Sequence, residues 1–180
     1  MNQDQKKKTG KLNVKETALY AMLGALMFAS KVAMQSLPNI HLVGLFIVSF
    51  TVVYRRRALY PVFVYILLEG LFYGFTLWWI PYLFVWPLLW AVTMLLPQGM
   101  KKGVSVFLYA FTSGLHGLFF GTLFAPFQAL FFGLNFKGMV AWILQGLPYD
   151  LIHGASNFVL GFLTVPLIGV LRKMNRVIKE

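Results

Sequence analysis

The chain contains no cysteine and only five acidic residues, and no long hydrophilic segment interrupts its 180 residues. The absence of cysteine excludes disulfide scaffolds, thiolate metal sites and cysteine nucleophiles. Charged residues make up 12% of the chain and apolar residues 59%, whereas soluble domains average ~25% and ~45–50%. Such a chain has too few polar groups to cover a folded surface in water. A soluble enzyme or a disordered chain is therefore disfavoured, and a small polytopic membrane protein is expected.

The net charge of +11 does not indicate a nucleic-acid partner. The basic residues form short clusters between apolar segments, whereas a nucleic-acid-binding domain presents a basic face. The sequence also lacks a glycine-rich Walker A loop, so ATP is not bound by that route. If the protein takes part in active transport, the energy must come from another subunit.

Six apolar segments predict an all-α membrane protein with six transmembrane helices. The second segment would extend only about 20 Å at ~1.5 Å per residue, less than the ~30 Å hydrocarbon core. The predicted organisation is a basic N-terminal segment over residues 1–16, a six-helix domain over 17–171 and a basic tail over 172–180. The six segments are residues 17–37, 41–54, 58–77, 80–96, 104–123 and 148–171.

The basic residues predict the orientation of these segments. All of them except Lys31 and Lys137 lie at every second connection or at the two ends of the chain. The positive-inside rule puts those connections in the cytoplasm, together with both termini. The long connection over residues 124–147 is then external, and its prolines and glycines predict a partly helical lid on the outer face. A seventh span there is the alternative, but it would place the basic C-terminus outside.

Polar residues within the apolar segments are candidates for a substrate site, because charges are costly in a membrane. By the predicted topology, Lys31, Glu69, His116, Asp150 and His153 fall in the outer half of the bilayer. The spacing of Asp150, His153 and Asn157 places them on one face of the sixth helix. Structural roles remain open alternatives: an ion pair, a charge in a first helical turn, or packing between helices. The candidates are Lys31, Glu69, His116, Asp150, His153 and Asn157.

Aromatic residues around the second external connection are further candidates for substrate contact, since they can stack on a planar ligand. Tryptophan and tyrosine also collect at membrane interfaces without any ligand, and this alternative stays open. The aromatic candidates are Trp78, Trp79, Tyr82 and Trp86.

The first segment carries alanine at every fourth position, Ala21, Ala25 and Ala29. Such a stripe of small residues lets another helix approach closely, either in this chain or in a partner.

With six spans, internal termini, this alanine pattern and the closing PYDLIHGASNFVLGFLTVPL segment, the chain resembles the substrate-binding S components of energy-coupling-factor (ECF) ABC transporters. The resemblance implies a bacterial plasma-membrane subunit that captures a vitamin or micronutrient at the outer face and carries no ATPase site of its own. It also implies that the alanine stripe docks on a transmembrane T component, which couples to two cytosolic ATPases.

The residues do not identify the vitamin. Both charge signs and several aromatic rings suit a polar or zwitterionic ring compound; cobalamin is favoured, and a pyrimidine or thiamine precursor or pantothenate remains open. No cofactor is expected, and a metal-ion substrate is disfavoured because the family's metal-binding members use an early histidine that MNQDQ lacks. Two other classes stay open: a stand-alone carrier or channel, and an intramembrane enzyme using Asp150, His153 and Glu69 as acid and base.

Overall fold

The computed structural model describes residues 12–179, and all of the regular secondary structure in that part of the chain is helical. A single turn at Phe119 separates α5 from α6, and α7 and α8 meet at a bend of 55°. Counting each of these pairs as one interrupted helix gives a six-helix, all-α chain. The helices are α1 (Val14–Ala33), α2 (Val43–Tyr54), α3 (Leu59–Tyr73), α4 (Tyr82–Leu95), α5 (Lys102–Leu118), α6 (Phe120–Phe132), α7 (Phe136–Gly161) and α8 (Thr164–Lys179).

The short helix α2 lies at the centre of the bundle. It contacts α1, α4, α5, α7 and α8, and only Val52 and Val53 among its residues are partly exposed. A helix that is apolar on all sides is stable only when it is surrounded, which explains its position. Its twelve residues correspond to about 18 Å, so it is as short as the sequence indicated.

Glycines let α5 and α7 pack closely against each other, and this is the most extensive helix pair in the described chain. A Cβ atom on Gly161 would lie 2.4 Å from the Cα of Ala110, and one on Gly117 would lie 2.8 Å from the carbonyl oxygen of His153. Because these neighbours are backbone atoms, any side chain at either glycine would force the helices apart. The contact therefore depends on small residues, as is typical of helix pairs in membranes.

The predicted start of the sixth helix near Pro148 is wrong. Helix α7 begins twelve residues earlier, where Asn135 accepts a hydrogen bond from the amide of Gly138 at 2.9 Å. Proline removes one backbone hydrogen bond without ending the helix, and membrane helices commonly tolerate this. Residues 124–147, predicted as a partly helical loop, are helical except at 133–135, where Gly133 has a φ of 64°.

One end of the bundle, here called the basic end, is formed by the start of α1, the α2–α3 and α4–α5 connections and part of α8. Glu16 in the first turn of α1 pairs with Arg57, and the guanidinium Nη2 of Arg55 donates to the carbonyl oxygen of Met94 at 2.9 Å. The basic residues of this end are Lys15, Arg55, Arg56, Arg57, Lys101, Lys102 and Arg172. The predicted cluster at Lys6, Lys7, Lys8 and Lys11 lies outside the described residues.

Large hydrophobic side chains are exposed along most helices, and they outnumber the buried ones. Met22 is 69% exposed, Leu71 63% and Leu130 75%. One helix, Lys102–Phe132, is long and apolar enough to cross a membrane, and the bent pair of α7 and α8 would be a second if it forms one span. The described helices thus support a membrane protein, although only weakly.

Candidate functional site

A cavity of about 420 Å³ opens at the end of the bundle opposite the basic end. Helix α1 begins at the basic end and reaches the cavity at Lys31, and the connections from α1 to α2 and from α3 to α4 form its rim. Phe120 and His153 contribute from α6 and α7. The residues around the cavity are Lys31, Met34, Gln35, Leu37, Pro38, Asn39, Ile40, His41, Glu69, Tyr73, Gly74, Thr76, Trp78, Trp79, Tyr82, Phe120 and His153.

An ion pair between α1 and α3 forms one wall of the cavity. The ammonium of Lys31 lies 2.5 Å from Oε2 of Glu69, and the side chain of Glu69 is 3% exposed whereas that of Lys31 is 24% exposed. The ammonium also lies 5.5 Å and 5.4 Å from the ring centroids of Tyr73 and Tyr82, within the range of cation–π attraction. The wall therefore presents both charge signs next to aromatic rings.

The aromatic rim depends on a glycine. Trp79 folds back over α3, where its indole Nε1 donates to the carbonyl oxygen of Ile66 at 2.7 Å. A Cβ atom at Gly70 would lie 2.2 Å from Phe75 and 2.8 Å from the indole nitrogen of Trp79. Only glycine at position 70 lets the connection pack so closely against α3, and the rim owes its position to that contact.

All three histidines of the chain lie close together, two in the lining of the cavity and one below it. His41 and His153 have ring centroids 4.8 Å apart, and both are cavity residues. His116 lies deeper, and its ring centroid is 5.6 Å from that of Trp86. The Nε2 atom of His116 forms a hydrogen bond with the carbonyl oxygen of Val85 at 3.0 Å. The cluster supplies imidazole nitrogens to the floor of an otherwise aromatic site.

Several polar atoms at this wall and floor are buried without a hydrogen-bond partner among the described residues. They are Oε1 of Glu69, Nδ1 of His41 and Nε2 of His153. Buried polar atoms are normally satisfied, so their position beside a cavity is suited to hydrogen bonds with a polar ligand. Within residues 12–179, no three histidine or carboxylate side chains are arranged so that together they could hold a metal ion.

The structure brings together some of the predicted site residues. Lys31, Glu69, Trp78, Trp79, Tyr82 and His153 surround the cavity. Trp86 is 1% exposed and lies below it, in contact with His41 and His116.

Asp150 and Asn157 lie away from the cavity. The carboxylate of Asp150 accepts from the amide of Gly121 at 3.0 Å and 3.1 Å, at the start of α6. Asn157 is 1% exposed and faces Gly44 and Gly117 between α2 and α5. Asp150 therefore links α7 to α6, whereas both polar side-chain atoms of Asn157 are buried without a hydrogen-bond partner among the described residues.

The connection between α1 and α2 contributes cavity residues that were not among the predicted site residues. Gln35, Asn39 and His41 belong to this connection. Asn39 has a φ of 60°, a conformation that asparagine tolerates better than most residues, and its carbonyl oxygen accepts from the hydroxyl of Ser156 at 3.2 Å. Two features of the sequence could have indicated these cavity residues: the Pro38-Asn39 pair, and His41 at the start of an apolar segment.

The three alanines of the predicted partner interface are exposed on α1. Ala21 also borders an apolar groove of about 290 Å³ between α1 and α3, with Tyr60 and Phe63 opposite. No helix within residues 12–179 covers the alanine stripe.

No protein-family model, curated protein or solved structure matches this chain.

Proposed function

We propose that this protein is a membrane-embedded subunit that captures a vitamin-like ring compound, equivalent to the S component of an ECF-type transporter. The observation that carries the proposal is the cavity of about 420 Å³ with the Lys31–Glu69 pair in its wall. It opens at the end of the bundle opposite the basic end. By the positive-inside rule the basic end faces the cytoplasm, and the cavity then opens to the outside.

The exposed surface supports a membrane location. Soluble monomers rarely expose large contiguous apolar patches, yet exposed leucine, phenylalanine and valine side chains occur on most of the helices here. Lipid would cover these side chains. The short α2 is surrounded by other helices and does not need to span the bilayer by itself.

The cavity supports a ligand with a planar ring and opposite or balanced charges. Tyr73, Trp79 and Tyr82 provide ring faces, and Lys31 with Glu69 provides one charge of each sign. Its volume lies near the lower limit of the ~300–1,000 Å³ typical of small-molecule sites. A vitamin with one or two rings fits this space, whereas only part of a cobalamin would enter it, so we favour the smaller compounds.

The exposed alanine stripe supports the second half of the proposal. A helix of a T component could approach α1 closely at Ala21, Ala25 and Ala29, because no larger side chain intervenes at these positions. Two ATPases attached to that partner would supply the energy, since this sequence has no Walker A loop.

Ligand identification tests the proposal. The protein is purified gently from its own cells, any bound small molecule is released and identified by mass spectrometry, and its affinity is measured with a vitamin panel as a second approach. We expect one stoichiometric ring compound. The variant Glu69→Gln should weaken its binding by about tenfold or more, because a hydrogen bond to a charged group is lost.

The matched control is Glu16→Gln, which breaks the other ion pair of the described chain, at the basic end. It should bind the ligand as the wild type does. Absence of any ligand, or equal weakening by the two variants, would contradict the proposal.

A further inference from the structure

A second, smaller cavity of about 110 Å³ lies at the basic end. It is polar, and it is enclosed by the end of α2, the end of α4, the α4–α5 connection, α5 and α8. One water takes up ~30 Å³ in the liquid, so this space has room for several waters or one tetrahedral oxyanion. Its residues are Val52, Arg55, Thr93, Leu96, Pro97, Gln98, Gly99, Tyr109 and Arg172.

Two arginines from distant parts of the chain line this cavity. Arg55 has a φ of 54° and a ψ of −123°, a backbone conformation that lies outside the left-handed helical region and is strained for a residue with a long side chain. The strained residue is fixed on both sides: its guanidinium donates to the carbonyl oxygen of Met94 at 2.9 Å, and its own carbonyl oxygen accepts from Nε1 of Trp90 at 3.1 Å. Arg172 reaches the same cavity from α8.

The described residues provide no carboxylate to balance these two charges. Residues 12–179 contain three acidic side chains, and each one is occupied elsewhere. Glu16 pairs with Arg57, and Glu69 pairs with Lys31. Asp150 binds the amide of Gly121. Two like charges around one small polar space repel each other unless an anion lies between them.

We infer that this cavity is an anion site that binds a phosphate group between Arg55 and Arg172. Guanidinium groups form paired hydrogen bonds with phosphate oxygens, and Tyr109, which carries a further donor, also lines the cavity. The phosphate belongs either to the headgroup of an anionic lipid or to a free phosphate ion. The lipid source rests on the proposed function, which puts the basic end at the cytoplasmic leaflet, where basic pockets between helices bind such headgroups.

Nanodiscs with the full chain distinguish the two sources. One sample contains phosphatidylglycerol without added phosphate, and the other contains phosphatidylcholine with inorganic phosphate. Thermal unfolding is followed as the phosphatidylglycerol fraction or the phosphate concentration increases, which gives an apparent affinity for each probe. Ligand binding to the folded state raises the unfolding temperature.

Arg172→Gln is the test variant, because the residue is exposed on α8 and its replacement leaves the core intact. We expect its apparent affinity for the preferred probe to decrease about tenfold or more. Arg172→Lys should recover part of the loss, because it restores the charge without the planar fork. The control is Arg176→Gln, which removes the same charge one turn further along α8 and outside the cavity.

Stabilisation by phosphatidylglycerol alone that depends on Arg172 assigns the site to a lipid headgroup. Stabilisation by phosphate alone with the same dependence assigns it to a soluble anion and would leave the vitamin-binding proposal unaffected. The inference is overturned if neither probe stabilises the protein, or if Arg172→Gln and Arg176→Gln have equal effects, since only general surface charge would then be involved.

Discussion

At the residue scale, the two members of the Lys31–Glu69 ion pair differ in how far they are buried. The glutamate is almost completely buried, whereas about a quarter of the lysine side chain is exposed. Moving a carboxylate out of water is costly, and its partner repays that cost only in part. The pair therefore adds little net stability to the fold. Its main effect is to hold a charged group in a fixed orientation at the cavity wall.

A double-mutant cycle tests this description. We expect Glu69→Gln and Lys31→Met each to lower the unfolding free energy by about 1–3 kcal/mol, because each leaves one polar group without its partner. The double variant should be more stable than the sum of the two effects predicts, by about 0.5–3 kcal/mol. Unfolding in mixed micelles measures both quantities, and strictly additive losses would show that the pair is not coupled.

Asp150 provides a contrast, because its carboxylate binds an amide at the start of α6 and does not border the cavity. Replacing a residue that caps a helix costs about 0.5–2 kcal/mol. Asp150→Ala should therefore lower the unfolding free energy by about that amount and change the affinity for the identified ligand less than about twofold. A large loss of affinity in a stable variant would instead show that Asp150 takes part in ligand binding.

Two glycines of α7 allow a matched comparison at the scale of the element. A Cβ atom at Gly161 would meet the backbone of α5, whereas one at Gly146 would have no neighbour within 4 Å. Gly161→Ala should destabilise the protein by about 1–3 kcal/mol through overpacking. Gly146→Ala should stabilise it by about 0.5–1 kcal/mol, since alanine is the better helix former. Equal unfolding temperatures would contradict the close α5–α7 contact.

Helix α7 also shows why only part of the site could be predicted from sequence. The spacing of Asp150, His153 and Asn157 correctly placed them on one buried face. Yet Asp150 and Asn157 are seven residues apart, about 10 Å along the helix, and α7 is long enough to pass several neighbours. Asp150 meets α6, His153 meets the cavity and Asn157 meets α2 and α5. Periodicity gives the face of a helix, but tertiary packing decides which neighbour each turn contacts.

For the helices too, only part could be predicted from the sequence: their existence, but not all of their boundaries. The existence of the helices could be predicted, because long apolar segments bounded by basic clusters leave few alternatives. Pro148 misled the prediction of the start of α7, since a proline often marks a first helical turn but also occurs inside membrane helices. The helix signal was Asn135, whose side chain caps α7.

The whole-molecule prediction concerns assembly. Ala25→Trp places a large side chain in the middle of the exposed stripe, so we expect it to prevent association with the proposed T component and to leave ligand affinity unchanged. Copurification of the proposed T component and ATPases from the native host measures association. Val159→Trp, at a position of α7 that is 65% exposed, is the control and should assemble normally. Normal assembly of the Ala25 variant would contradict docking at the stripe.

The alanine stripe and the cavity share one helix. Ala29 belongs to the stripe, and Lys31 at the cavity wall follows two residues later in the last turn of α1. Under the proposed function, a partner that shifts or tilts α1 also shifts the charge that faces the vitamin. The two binding events are then thermodynamically linked. If docking lowers the affinity for the vitamin by a given factor, bound vitamin must lower the affinity for docking by the same factor. An occupied subunit and an empty one would therefore compete unequally for the same energising module.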